Sequence, residues 1–437
     1  MIFLTTTIGI LAFDALRTKR AWHDPLYFFL IFHALYVSPL SIRYLLNLPP
    51  EGNVTHLFYE IESTFPYAVV LSAISNLIFY CTYCIKQPVI HIPHPKTKIK
   101  YSYAATILLL IGGGLFLFMA HEKGGVIPFL LQGYGVTGSL AENPLQATSF
   151  PILFTAGLLY FYAYIESRRK PHFLMSLGLF LTLITMCIIM GRRAEIAVWG
   201  LIYLINFSIL FKRIKIINII ALAAAGFIFL NFLGIVRQSN YEDIGSFQAR
   251  ISEKLATSAT ESYFYTVTSG QFAVPFESLP ILMDAHPSSD FRYGTTVIEN
   301  LALWVPRVLW EDKPYGLTRW FYQTYYDPSA PPNEGRAFFF LSEGYLNFGI
   351  VGVVLWAALW GLFWKSISNL VSRQHDQSFF AVFVFSVFTS NIIKLIAGDS
   401  GSIFVAIPKQ TILWFLLAAS LSWTIQETIK LTTRRPA

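Results

Sequence analysis

Cysteine is scarce in this chain: Cys81, Cys84 and Cys187 are the only three among 437 residues, and each lies in an apolar stretch. Cys81 and Cys84 form a C-x-x-C, but no second pair or histidine cluster accompanies them, so they read as buried thiols rather than a metal or redox site. Sequence repeats, heptads and low-complexity tracts are also missing, which argues against solenoids, coiled coils and disordered arrays. No basic flank precedes the first apolar run; Arg17, Lys19 and Arg20 follow it, so no cleavable signal peptide is expected. His, Asp and Glu nowhere cluster at metal-ligand spacing, and the one large polar segment holds a single histidine, His286. No metal and no cofactor are therefore expected.

What the chain does have is apolar surface. Hydrophobic residues make up 54% and aromatics 16%, with a mean hydropathy of +0.53. So apolar a chain needs lipid as its solvent, and runs near twenty residues cross a bilayer as helices. The pattern predicts an all-α polytopic membrane protein with about eleven transmembrane helices. They are expected at 2–16, 25–47, 62–84, 102–120, 150–166, 173–190, 195–211, 216–236, 338–364, 377–396 and 403–426. The first is the shortest. The chain then divides into an N-terminal bundle (1–236), a large loop (237–337) and a C-terminal bundle (338–437).

The net charge of +7 could suggest nucleic acid, but most basic residues sit in short clusters between spans. Arg17/Lys19/Arg20, Lys86/Lys96/Lys98/Lys100, Arg168/Arg169/Lys170, Lys212/Arg213/Lys215, Lys365/Arg373 and Lys430/Arg434/Arg435 share one side when spans alternate. The loops 48–61, 121–149 and 397–402 carry only Lys123. By the positive-inside rule the C-terminus is cytoplasmic, and the N-terminus and the large loop are extracytoplasmic. No nucleic-acid partner is expected.

Two basic features break this pattern. Arg192 and Arg193, in a tight Met190-Gly191-Arg192-Arg193 connection, fall on the outer side, where a cavity, a bound anion or interfacial snorkelling would explain them. Lys394 lies late in an apolar helix near Asp399, and the two could pair. In the loop, Phe247, Ile251, Leu255, Ala259 and Tyr263 have helical spacing, which suits a surface helix over 245–266. A short helix is expected over 295–310, broken by Pro306, and a Pro-rich turn over 327–333.

The loop's cations lie among aromatics. Arg237, Arg292, Arg307 and Lys313 are interleaved with Trp304, Trp310, Trp320, Tyr322, Tyr325 and Tyr326. Guanidinium forks hold phosphate oxygens bidentately at any working pH, and aromatic faces suit sugars. In Pro306 to Pro314, Glu311 and Asp312 are bases or counter-ions of Arg307 and Lys313. In Glu343-Gly344-Tyr345-Leu346-Asn347-Phe348-Gly349, Glu343 and Asn347 share one helical face. An acid in an apolar helix is a functional candidate, or one half of a buried ion pair with Arg336 or Arg193.

Three of these motifs together resemble the oligosaccharide repeat-unit polymerases, the Wzy-type O-antigen and exopolysaccharide polymerases of bacterial inner membranes. They are Gly191-Arg192-Arg193 between two mid-chain spans, Pro306 to Pro314 late in the loop, and Glu343 to Gly349 opening the next span. They cover roughly residues 190–350. Such polymerases often carry a small residue where this chain has Arg192, so Arg193 is taken as the matching position.

The resemblance implies metal-independent transfer of a growing glycan from undecaprenyl diphosphate to a lipid-linked repeat unit, with inversion. A chain-length regulator and a flippase would be the partners, alongside membrane lipid. Glu343, Arg193 and Arg307 are the implied catalytic residues, and Arg192, Arg193, Arg237, Arg292 and Lys313 the implied diphosphate ligands. Trp304, Trp310, Trp320, Tyr345 and Asn347 would line the sugar. An O-antigen ligase is the nearest alternative, and a lipid-linked oligosaccharide transporter the alternative of another class.

Overall fold

The computed structural model describes residues 1–18, 20–48, 63–88, 99–131, 146–236, 272–286, 290–305, 309–330, 334–371 and 378–433. The expected helix over 245–266 lies outside the described residues, as do Arg237 and Arg307. Every regular element among the described residues is helical. In chain order they are α1 (Ile2–Arg17), α2 (Pro25–Leu45), α3 (Phe65–Tyr83), α4 (Tyr101–Glu122), α5 (Val126–Leu131), α6 (Gln146–Ser167), α7 (Lys170–Ile189), α8 (Arg193–Leu210) and α9 (Ile216–Val236). Then come α10 (Val274–Ala285), α11 (Thr295–Ala302), α12 (Leu317–Tyr325), α13 (Phe340–Asn369), α14 (Phe379–Ser390) and α15 (Ile392–Ile396). Two π-helical turns, Ser402–Ala406 and Pro408–Ile412, lead into α16 (Leu413–Thr433).

All eleven expected spans fall on helices, and nine helices among the described residues are long and apolar enough to cross a membrane. The first and eighth expected spans, α1 and α9, stand outside those nine. Large apolar side chains face outward along the spans, with Leu110 71%, Leu174 64% and Leu359 56% exposed. Such exposure is stable where the surroundings are lipid. Among the described residues the protein is thus all-helical, with the helix lengths and outward apolar surface of a polytopic membrane protein.

The helices group into two compact units that interleave along the chain. One comprises Met1–His91, Ala259–Gln377 and Val387–Ile407; the other comprises Ile92–Ser258, Ser378–Ser386 and Pro408–Ala437. The expected division at 236 and 337 follows chain order, whereas each unit gathers segments from early and late in the chain.

In the first unit the Phe29 and Phe79 rings stack at 3.6 Å. Gly361 of α13 has no room for a side chain, since a Cβ there would meet the Phe79 carbonyl at 2.6 Å. His33 bonds Asn76 at 2.6 Å, and Asn76 donates to Thr7 at 2.9 Å, so α1, α2 and α3 share one buried polar chain. At one end of these helices Asp14 accepts from Thr18, Arg20, Tyr27 and Tyr80. In the second unit Tyr162 donates to Asn206 at 2.6 Å, and Asn206 donates to Ser386 at 2.7 Å.

One span differs in kind from its expectation. The apolar pattern runs through residues 338–364 without a gap, but Phe348 and Gly349 inside α13 are not helical, and Gly349 has φ +60° and ψ −144°. A straight helix would hold Gly344 and Gly352 about 12 Å apart. Instead, a Cβ on Gly344 would lie 2.7 Å from the Gly352 carbonyl. The chain therefore reverses. Phe340 to Asn347 is a short helix packed back against Ile350 to Asn369, and the latter stretch alone has the length to span about 30 Å of hydrocarbon.

Candidate functional site

The reversal carries the Glu343 motif, and the loop closes over it. The C-terminal end of the short helix presents free carbonyls. Arg292 N–H donates to Leu346 O at 3.0 Å and Tyr293 N–H to Asn347 O at 3.1 Å. Asn347 fastens the same junction with its side chain: it accepts from Gly294 N–H at 2.8 Å and donates to Thr296 Oγ1 at 2.7 Å. Phe291 fills the space over Gly349, where a Cβ would come within 2.9 Å of its ring.

Glu343 lies beneath α11 with no exposed surface. Its Oε1 accepts from Ser400 Oγ at 2.7 Å, Asn300 Nδ2 at 3.2 Å and Thr296 Oγ1 at 3.3 Å. Its Oε2 accepts from Ser400 N–H at 2.7 Å. All four donors are neutral. One carboxylate thus joins three elements: the short helix, α11, and the Gly398-Asp399-Ser400-Gly401 turn. Satisfied hydrogen bonds are what make a buried acid tolerable.

Asp399 lies in that turn, accepting from Leu317 N–H at 3.1 Å and Ser402 N–H at 3.2 Å. Burial pushes its carboxyl above the ordinary carboxylate range. Gly401 is needed beside it, because a Cβ there would meet Asn300 Oδ1 at 2.9 Å.

Two pairings left open by the sequence go elsewhere. Arg336 pairs with the buried Glu277 and lies 4.6 Å from the Tyr326 ring centre, so it is not the partner of Glu343. Lys394 does not pair with Asp399, whose carboxylate is bound by backbone N–H groups.

Above this anchor lies a platform of rings with a cation on it. The Arg292 guanidinium lies 4.4 Å from the Trp320 ring centre and pairs with Glu299 at 2.9 Å. Trp320 also meets His286 and Tyr325 edge-on, and Phe291 meets Tyr345 at 6.0 Å. The platform is seated on a core of Ile281, Leu282, Leu317, Phe321, Phe338 and Leu346. Burial pushes the Tyr325 hydroxyl up to about 12, so it stays a donor. Such a surface can hold an anionic group beside a sugar ring.

Of the residues singled out by the sequence, Glu343, Asn347, Tyr345, Arg292 and Trp320 are brought together here. Lys313 is not a free cation: it is buried, and its ammonium donates to Val305 O at 2.7 Å and Leu303 O at 3.4 Å, closing the end of α11. Trp304 donates its indole N–H to Phe404 O at 3.2 Å, and Trp310 is 44% exposed. Arg192 and Arg193 belong to the second unit, where Gly191 (φ +67°) makes the turn and Arg193 begins α8. The Arg192 guanidinium lies 5.3 Å from the Phe150 ring centre.

Thr296, Asn300, Asp399 and Ser400 were not singled out for the site, though all serve it. The one available signal was the short polar run Gly398 to Gly401 between two apolar stretches. Among the described residues no group of three or more His, Cys, Asp or Glu is placed to hold a metal. Comparisons with protein-family models, curated proteins and solved structures found no match.

Proposed function

We propose that the protein is a lipid-linked glycan polymerase of a bacterial inner membrane. The observation that carries this reading is the Arg292–Trp320 platform, a cation stacked on an indole and tied by its own backbone to the Glu343 to Gly349 motif. In this proposal the chain has about eleven spans, with its N-terminus and large loop outside and its C-terminus in the cytoplasm. The donor is a glycan on undecaprenyl diphosphate and the acceptor a lipid-linked repeat unit. A chain-length regulator and a flippase are its partners.

The chemistry asked of the protein is modest. A diphosphate leaves without an acid to protonate it, so a cationic clamp and one base suffice, in contrast to the two carboxylates of most glycosidases. Arg292 stands on the platform, and Arg193, Arg237 and Arg307 keep the phosphate-binding role that the resemblance implies. Glu343 anchors the site in the arrangement seen here, and the base role proposed for it requires α11 to move aside.

One observation favours a transporter as the second reading. The α13 reversal is a discontinuous helix, of the kind that often lines substrate paths in transporters.

The deciding experiment incubates purified protein with a lipid diphosphate-linked repeat unit and chelator, and resolves the products on a gel. A ladder that disappears in Arg292→Ala and Arg193→Ala supports the polymerase. Transfer only to a lipid A core acceptor means a ligase. Lipid movement across liposomes with no new glycosidic bond means a transporter.

A further inference from the structure

Helix α11 is inside out for a helix in water. Its polar residues Thr296 and Asn300 are buried, at 0% and 3% exposure, and bond Glu343, while Glu299 pairs with Arg292. Its apolar residues point outward: Ile298 is 69% exposed and Leu301 50%. Trp304, three residues further on, is 39% exposed. Spacing of three puts Ile298, Leu301 and Trp304 on one stripe. A surface helix facing water turns its apolar stripe to the core and its polar stripe to solvent. Here the order is reversed for Thr296 and Asn300 on the buried side and for Ile298 and Leu301 on the exposed side.

The stripe continues onto a spanning helix. Tyr293, just before α11, meets the Phe348 ring at 6.1 Å. Beyond the Phe348-Gly349 turn come Ile350, 59% exposed, Val351, 65%, and then Leu355, 51%. Depth agrees with this continuity. The Trp304 indole reaches Phe404 O, and the Phe404 ring stacks on Trp360 at 5.4 Å. Trp360 lies about 15 Å along the helix from Ile350, at 1.5 Å per residue. Trp304 is therefore linked through Phe404 to a residue well inside the span, not only to its end.

We infer that α11 and Trp304 are embedded in a lipid leaflet, with Ile298, Leu301 and Trp304 against acyl chains. The segment between the spans is then only partly a water-exposed loop. Its α11 stretch re-enters the membrane and shields the Glu343 cluster from lipid. An exposed apolar stripe of this kind needs a cover, and its link through the Tyr293–Phe348 contact to the exposed apolar flank of α13 identifies that cover as lipid. The inference rests on the bundle spanning a membrane and is independent of the polymerase reading.

The test uses the full chain in nanodiscs, with Cys81→Ser and Cys84→Ser, since both thiols are exposed and not buried as their apolar surroundings suggest; Cys187 is buried and is retained. Spin labels are placed singly at Ile298→Cys, Leu301→Cys, Leu355→Cys as a lipid-facing reference, and Asp312→Cys as a water-facing reference. Collisions with oxygen and with a water-soluble nickel chelate are then measured. The expected result is that Ile298→Cys and Leu301→Cys match Leu355→Cys, with high oxygen and several-fold lower nickel accessibility than Asp312→Cys. Nickel accessibility equal to that of Asp312→Cys overturns the inference. So does exclusion of both reagents, which would mean that protein covers the stripe. A second readout needs no label: brominated-lipid quenching of tryptophan fluorescence should lose a component in Trp304→Phe, and an unchanged profile counts against the inference.

Discussion

Glu343 shows how little of a buried acid's role its position in the sequence conveys. Four donors converge on its two oxygens, so Glu343→Gln places an amide N–H against either Ser400 N–H or the Asn300 amide. We expect a loss of roughly 1–3 kcal/mol for a buried donor left unsatisfied, read as a lower thermal midpoint in detergent, together with loss of the product ladder. A variant of normal stability and activity would remove Glu343 from both roles. Arg292→Lys keeps the charge but not the flat stacking on Trp320; a drop in polymerisation on the order of tenfold, about 1.4 kcal/mol, is expected, with Arg292→Ala lower still.

Asp399 gives a pH dependence. Its folded carboxyl is raised by burial, so between the ordinary carboxylate range and that raised value the folded chain holds a proton that the unfolded chain has released. Stability therefore falls as pH rises through that window. Thermal midpoints measured upward from about pH 4 should decline, and Asp399→Asn should flatten the slope.

At the scale of elements, the reversal in α13 depends on small residues at close approach. A Cβ on Gly352 would fall on the Gly344 carbonyl, and Gly349 holds a backbone conformation open almost only to glycine. Gly352→Ala should cost more than the roughly 1–3 kcal/mol typical of overpacking and abolish the monodisperse peak in size-exclusion chromatography. Gly200→Ala, also in a helix but with nothing within 4 Å of the added carbon, should be neutral or gain up to about 1 kcal/mol. Equal behaviour of the two variants would refute the reversal.

Apolar periodicity could not have revealed this turn. Lipid-facing and buried positions are both apolar in a membrane bundle, so residues 338–364 read as one unbroken span. Phe348-Gly349 was visible as a glycine, but only the Gly344–Gly352 contact shows that the chain doubles back. The short helix expected over 295–310 begins at Thr295 as expected but ends at Ala302. Its inverted faces were not foreseen, because a helical period carries no sign for which stripe meets the core.

For the whole molecule, six basic clusters on one side predict a cytoplasmic C-terminus. A C-terminal green fluorescent protein fusion should fluoresce and a C-terminal alkaline phosphatase fusion should be inactive; the opposite pair would invert the proposed topology.

By itself the sequence determined that the chain is helical and polytopic, because stretches near twenty apolar residues have few other stable states in lipid or water. It also marked Glu343, Asn347, Tyr345, Arg292 and Trp320, since charge and aromatic rings are costly or conspicuous against that background. Only the tertiary structure decided what those residues touch. The partners of Glu343 lie 43 to 57 positions away along the chain, and Lys313 spends its charge on carbonyls of Leu303 and Val305. Hydropathy records the solvent a residue prefers; hydrogen bonds are directional and short, and which groups meet depends on where the chain turns back.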